Sequence, residues 1–158
     1  MEPVDEERAY WVRIHWRRWR DIDRFFDDPQ DDNAYLYTIW GRFGSSARLF
    51  YIGKTYDQYA GFRLTQQDHA RRREKMVRRY PRHRLAVSLG EMEMPYGGKV
   101  TRSRVGEVER LLIFANLPEV NRANRQTHGA QWDYVIGNTG SFGTMYRWLH
   151  FGLFGGQN

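Results

Sequence analysis

The chain has 158 residues, 41% hydrophobic and 16% aromatic, which suffices for one ordinary core and points to one domain rather than two. It contains no cysteine, which excludes disulfides, thiolate zinc sites, iron–sulfur clusters and cysteine nucleophiles. Lys and Arg number 25 against 19 Asp and Glu, a net charge of +6 that favours a polyanionic partner.

No apolar run approaches the roughly 18 residues of a membrane span, and the acidic, aromatic N-terminus lacks the basic start of a secretory signal. The expectation is a soluble, cytoplasmic protein with no membrane partner. The histidines at 15, 69, 83, 128 and 150 never fall at the helical spacing of a metalloprotease, and no Gly-rich Lys-Ser/Thr loop is present. A bound metal would therefore take oxygen ligands.

Charge is unevenly spread. Residues 1–33 carry six Arg against ten Asp and Glu, whereas residues 63–84 carry nine basic residues against Asp68 and Glu74. Of the 25 basic residues 22 are Arg, whose planar fork suits phosphate; a GC-rich coding bias would give the same excess.

In residues 1–33 two readings compete. Trp16, Trp19, Ile22 and Phe26 fit one face of a helix from about 16 to 27, while Val12, Ile14 and Trp16 alternate as a strand would. Next, 35–40 and 49–53 are rich in β-branched and aromatic residues, and the stretch 41–47 joins them as a hairpin. A loop centred on Gly44 would place Tyr37 opposite Tyr51, with both phenols on one face. From Asp57 to Arg79 the chain reads as a basic helix ended by Tyr80-Pro81, followed by a strand over 84–89 and a turn over 95–98.

A second helix is expected from Thr101 to Asn116. Its apolar stripe is Val105, Val108, Leu111, Leu112 and Ala115, and Glu109 lies about 95° from the stripe's centre, at the edge between core and solvent. Residues 132–136 and 144–153 look like strands around the Gly-rich turn 137–143, a hairpin extending the sheet or meeting a second subunit.

Five elements in order resemble the GIY-YIG nuclease superfamily over residues 35 to 121. Tyr37-Thr38-Ile39 is similar to the end of the first motif, and Tyr51-Ile52-Gly53-Lys54-Thr55 to the second. Phe62-Arg63-Leu64 resembles the family's helix arginine, Glu109-Arg110-Leu111-Leu112-Ile113 the helix bearing the metal carboxylate, and Pro118-Glu119-Val120-Asn121 the closing motif. Departures are Tyr35-Leu36 where the family has Gly-Ile, which makes Tyr35 a second candidate phenol, and Gln67 where a histidine is common, with His69 two residues on.

The resemblance implies an α/β (α+β) fold, a small, mainly antiparallel sheet flanked by helices, for a nuclease-like domain over 34–123; to it the chain adds an aromatic, acidic N-terminal segment over 1–33, read as helical, and a C-terminal hairpin over 124–158 packed on the same domain. It implies a metal-dependent DNA endonuclease. Glu109 would hold one Mg²⁺ or Mn²⁺; Arg63 and Lys54 would add fixed positive charge around the phosphate. Tyr37 would accept the attacking water's proton, assisted by Tyr51, provided that neighbouring cations favour a phenolate over a phenol of ordinary pKa about 10. Asn121 would orient groups by hydrogen bonds, and His69 is a further candidate. Only Glu107, Glu109 and Glu119 lie near the expected metal position, which points to one ion rather than two.

Arg63, Arg71, Arg72, Arg73, Lys75, Arg78 and Arg79 would track the phosphates of DNA, with double-stranded DNA as the expected partner and a homodimer as a route to cutting both strands. Rival readings are a binding protein without catalysis, and a nuclease for single strands or RNA that stacks bases on Trp11, Trp16 and Trp19.

Overall fold

The structure, a computed structural model, describes residues 9–25, 34–55, 67–121, 123, 125–127, 129–130 and 133–151. Its elements are β1 (Tyr10–Trp16), β2 (Arg20–Asp21), α1 (Ile22–Phe25), β3 (Leu36–Phe43), β4 (Ser46–Lys54), α2 (Gln67–Arg79), β5 (Arg84–Glu93), α3 (Arg102–Asn116), β6 (Tyr134–Gly140) and β7 (Trp148–Phe151). The fold is mixed α and β. One sheet runs β4-β3-β5-β1-β6-β7, with β2 also pairing β5. Every pairing is antiparallel except β1 with β6.

The N-terminal helix expected from 16 to 27 is not formed. Alternation wins: Val12, Ile14 and Trp16 point inward from β1, and among the described residues of this segment only Ile22–Phe25 is helical. What decides it is long-range, because β1 pairs with β5 on one side and with β6 on the other. The N-terminal segment therefore widens the expected small sheet through β1, and β6 and β7 extend it further, one of the two places expected for the C-terminal hairpin. In the Gly-rich stretch, β6 continues to Gly140, so the turn is shorter than 137–143 and the last described strand spans only Trp148–Phe151.

The sheet has two buried faces. On one, Val12, Ile14, Trp16, Leu36, Trp40, Ile52, Tyr134 and Ile136 pack against Val105, Val108, Leu111 and Leu112 of α3. On the other, Tyr37, Ile39, Phe50, Tyr51, Val87 and Leu89 pack with Met76 of α2. Buried indoles are satisfied, as such groups must be: Trp16 donates to Asn138 Oδ1 and Trp40 to Thr38 Oγ1, each at 2.8 Å.

The β3–β4 hairpin differs from its expected register. The turn is tighter, with Phe43 opposite Ser46, and the register shifts between Ile39 and Trp40, leaving Phe50 as the unpaired residue. Tyr37 thus faces Gly53, and Tyr51 faces Ile39. The phenol rings still lie on one face with centroids 5.9 Å apart, as diagonal rather than direct neighbours. Tyr37 occupies the space that a side chain at position 53 would take: a Cβ there would lie 2.4 Å from Tyr37 Cζ.

α3 matches its expected span. Thr101 caps its N-terminus by accepting the Arg104 N–H, and Leu117 ends it in the left-handed region (φ 46°), its N–H bonded to Ile113 O. Ala115 is only half-buried. Beyond that reversal, Glu119 and Val120 donate backbone N–H groups to Leu49 and Phe50 carbonyls and cover the β4 edge. Among the described residues no helix is long and apolar enough to cross a membrane.

Gly53→Ala should cost about 1–3 kcal/mol or more in urea unfolding, because the fully buried Tyr37 ring cannot yield. Gly44→Ala, in open space at φ 59°, should cost about 1–2 kcal/mol from backbone strain alone. A Gly53→Ala protein as stable as wild type would contradict this packing.

Candidate active site

At the β4 edge the helices of both sheet faces come together. Tyr51 of β4, Arg71, Arg72 and Lys75 of α2, Glu109 of α3 and Asn121 of the strap line an open cavity of about 470 Å³. α2 presents these cations because positions 71, 72 and 75 share one helical face. α3 presents Glu109 because the adjoining apolar stripe is buried, leaving that residue half-buried at the boundary.

Arg72 Nη1 donates to the Tyr51 phenol oxygen at 2.9 Å, and its guanidinium carbon lies 4.7 Å from the ring centroid. Asn121 is buried and doubly committed: its Oδ1 accepts the Ile52 N–H and its Nδ2 donates to the Ile52 carbonyl, both at 2.9 Å. It continues the strap's pairing with β4 through a side chain and fixes the cleft wall.

Other candidates are placed differently. Tyr37 is fully buried behind Tyr51 and does not line the cleft. Tyr35, half-buried, precedes β3 and donates its backbone N–H to Gly90 O. Lys54 is exposed at the end of β4, its Nζ above Gly106 of α3, one turn before Glu109. Of the remaining cations of α2, Arg73 pairs with Asp23, while Arg78 and Arg79 are exposed. Arg63 and the His69 side chain lie outside the described residues.

Two of the three carboxylates expected together are elsewhere. Glu107, nearly opposite Glu109 around the helix, is buried and accepts a hydrogen bond from Tyr134. Glu119 accepts from Arg48 at 3.2 Å and from Tyr80. Among the described residues that line the cleft, Glu109 is the one acidic side chain. Sequence reading also missed the Arg72–Tyr51 contact, for which linear spacing carries no signal.

Among the described residues no three His, Asp or Glu side chains form a ready-made metal cage. A single carboxylate on an open polar cleft nevertheless fits Mg²⁺ or Mn²⁺, since such ions keep several waters and use one or two carboxylates plus substrate oxygens. Comparison of the chain with protein-family models, curated proteins and solved structures gives no match.

Burial, reinforced by the bond to Glu107, pushes the Tyr134 phenol well above its ordinary value of 10.0. Its folded-state value exceeds the unfolded one, so it adds stability that is intact below about pH 10 and declines above it by about 1.4 kcal/mol per pH unit. Urea unfolding between about pH 9 and pH 11 should show a steeper alkaline loss in wild type than in Tyr134→Phe. Equal slopes would contradict it.

Proposed function

We propose that the chain is a metal-dependent endonuclease of the GIY-YIG type, cutting DNA by hydrolysis of a phosphodiester bond. The observation that carries this reading is the cleft itself: a phenol, a carboxylate and three cations converge there from β4, α3 and α2. Phosphoryl hydrolysis calls for that set, an oriented water and positive charge around the developing oxyanion.

Arg71, Arg72 and Lys75 would hold the scissile phosphate, the arginines by bidentate contact. Tyr51, whose oxygen accepts a hydrogen bond from Arg72, would take the proton of the attacking water in its phenolate form and so return to the neutral phenol. This assigns to Tyr51 the role that the motif resemblance gives to Tyr37, because Tyr51 faces the cleft; Tyr37 would position it from behind. Glu109 would hold Mg²⁺ or Mn²⁺, which when bound neutralises phosphate charge and the leaving oxygen. Asn121 would keep β4 and the strap in register, and Arg63, Lys54 and His69 keep the parts the resemblance implies.

The nuclease-type fold, double-stranded DNA as substrate, a homodimer and a cytoplasmic setting belong to the same proposal. The excess of Arg over 63–84 supports a polyanionic partner.

The test is incubation of wild type, Glu109→Ala and Tyr51→Phe with supercoiled plasmid, linear duplex and single-stranded DNA, with Mg²⁺, Mn²⁺ or EDTA. Expected are metal-dependent products, a loss of at least about 10²-fold for Glu109→Ala, and about 10²–10⁴-fold for Tyr51→Phe. Intact DNA under every metal, with undiminished binding, would replace this reading with a binding module.

A further inference from the structure

A second cavity, of about 510 Å³, opens between the tip of the β3–β4 hairpin, the start of β5 and α1. Among the described residues, Arg24, Arg42 and Arg84 line it with Asp21 as the acidic member, and none of these also lines the Tyr51–Glu109 cleft.

Arg42 and Arg84 are direct cross-strand partners in the β3–β5 ladder. Like charges directly opposed on one face of a sheet are destabilising. The ion pairs among the described residues join other arginines, 13, 17, 48 and 73, to their carboxylates. Asp21, the nearby acid, uses Oδ1 to accept the Asp23 N–H at 3.0 Å. Among the described residues, three cations thus face one carboxylate across an open cavity.

Arg42 is also held in place. Its guanidinium carbon lies 5.4 Å over the Trp19 ring, and Trp19 stacks on Trp40 with centroids 4.8 Å apart. Both indoles are anchored in turn, Trp19 Nε1 to Ser141 O and Trp40 Nε1 to Thr38 Oγ1. A repulsive pair with one member held on a rigid shelf favours an anion between its two charges. Guanidinium forks arriving from α1, β3 and β5 need more acceptor atoms than a flat carboxylate offers, and a tetrahedral phosphate supplies them from several directions.

From these contacts we infer that the Arg24–Arg42–Arg84 cavity binds a phosphate group, either of a nucleic-acid backbone or of a small phosphorylated molecule. The inference does not rest on the nuclease reading.

The test compares wild type with Arg42→Gln, Arg84→Gln and the double variant, all at exposed positions outside the cleft. Thermal unfolding is followed in low-salt buffer, then with inorganic phosphate, against sodium chloride at equal ionic strength. Phosphate should raise the wild-type Tm above the chloride control and leave the double variant at it. Without phosphate, Arg84→Gln should unfold no earlier than wild type, since the opposed charge is gone.

Affinity for a duplex oligonucleotide, measured in EDTA so that the DNA stays intact, then separates the two sources. A backbone phosphate predicts binding about tenfold weaker in the double variant, with a salt slope shallower by about two. Phosphate protection with unchanged DNA affinity assigns the site to a small phosphorylated molecule. Equal protection of wild type and double variant, or protection of neither, overturns the site, whether or not the protein cleaves DNA.

Discussion

Phe50 has no cross-strand partner in β3, and that extra residue turns both Phe50 and Tyr51 toward α2. The tight turn alone, with Phe43 opposite Ser46, would send Tyr37 and Tyr51 to opposite faces of the sheet, because side chains alternate with a period of two. The bulge shifts the register by one and reunites them. It also sets Gly53 under the Tyr37 ring and leaves Phe50 free to stack on Tyr80, 4.6 Å between centroids. Without it Tyr51 would face α3, away from Arg72.

The same strand organises the rest of the cleft. β4 is an edge of the sheet, so α2 on one face and α3 on the other can both reach it. An open edge invites unwanted pairing, and Glu119–Asn121 closes it, with Asn121 spending its amide on Ile52. The charge of the cleft follows from this assembly: Glu109 stands against Arg71, Arg72 and Lys75, a surplus that suits an anionic ligand.

Much of this was legible in local pattern. The apolar stripe of α3 gave the helix and put Glu109 at its margin, because an amphipathic stripe depends on residues within a few positions. The hairpin was legible as an element but its register was not, since a bulge leaves no local signature in a run such as Leu49-Phe50-Tyr51-Ile52. Trp16, Trp19 and Ile22 fit a helix as well as Val12, Ile14 and Trp16 fit a strand; the choice was made by β6, more than a hundred residues away. Nearness in sequence misled for Glu107 and Glu119, since one turns to Tyr134 and the other to Arg48 and Tyr80. Arg72 and Arg73 show the same limit: adjacent on α2, one meets Tyr51 and the other Asp23.

The central claim is that Glu109 anchors a divalent cation in the cleft at the β4 edge. Paramagnetic broadening of backbone amide resonances by substoichiometric Mn²⁺ tests it most directly. If Glu109 holds the ion, broadening centres on the amides of Glu109, Asn121 and Tyr51, and Glu109→Gln removes it while the rest of the spectrum stays in place. Broadening centred on Glu107 or Asp21, or a pattern that Glu109→Gln leaves unchanged, would contradict the claim.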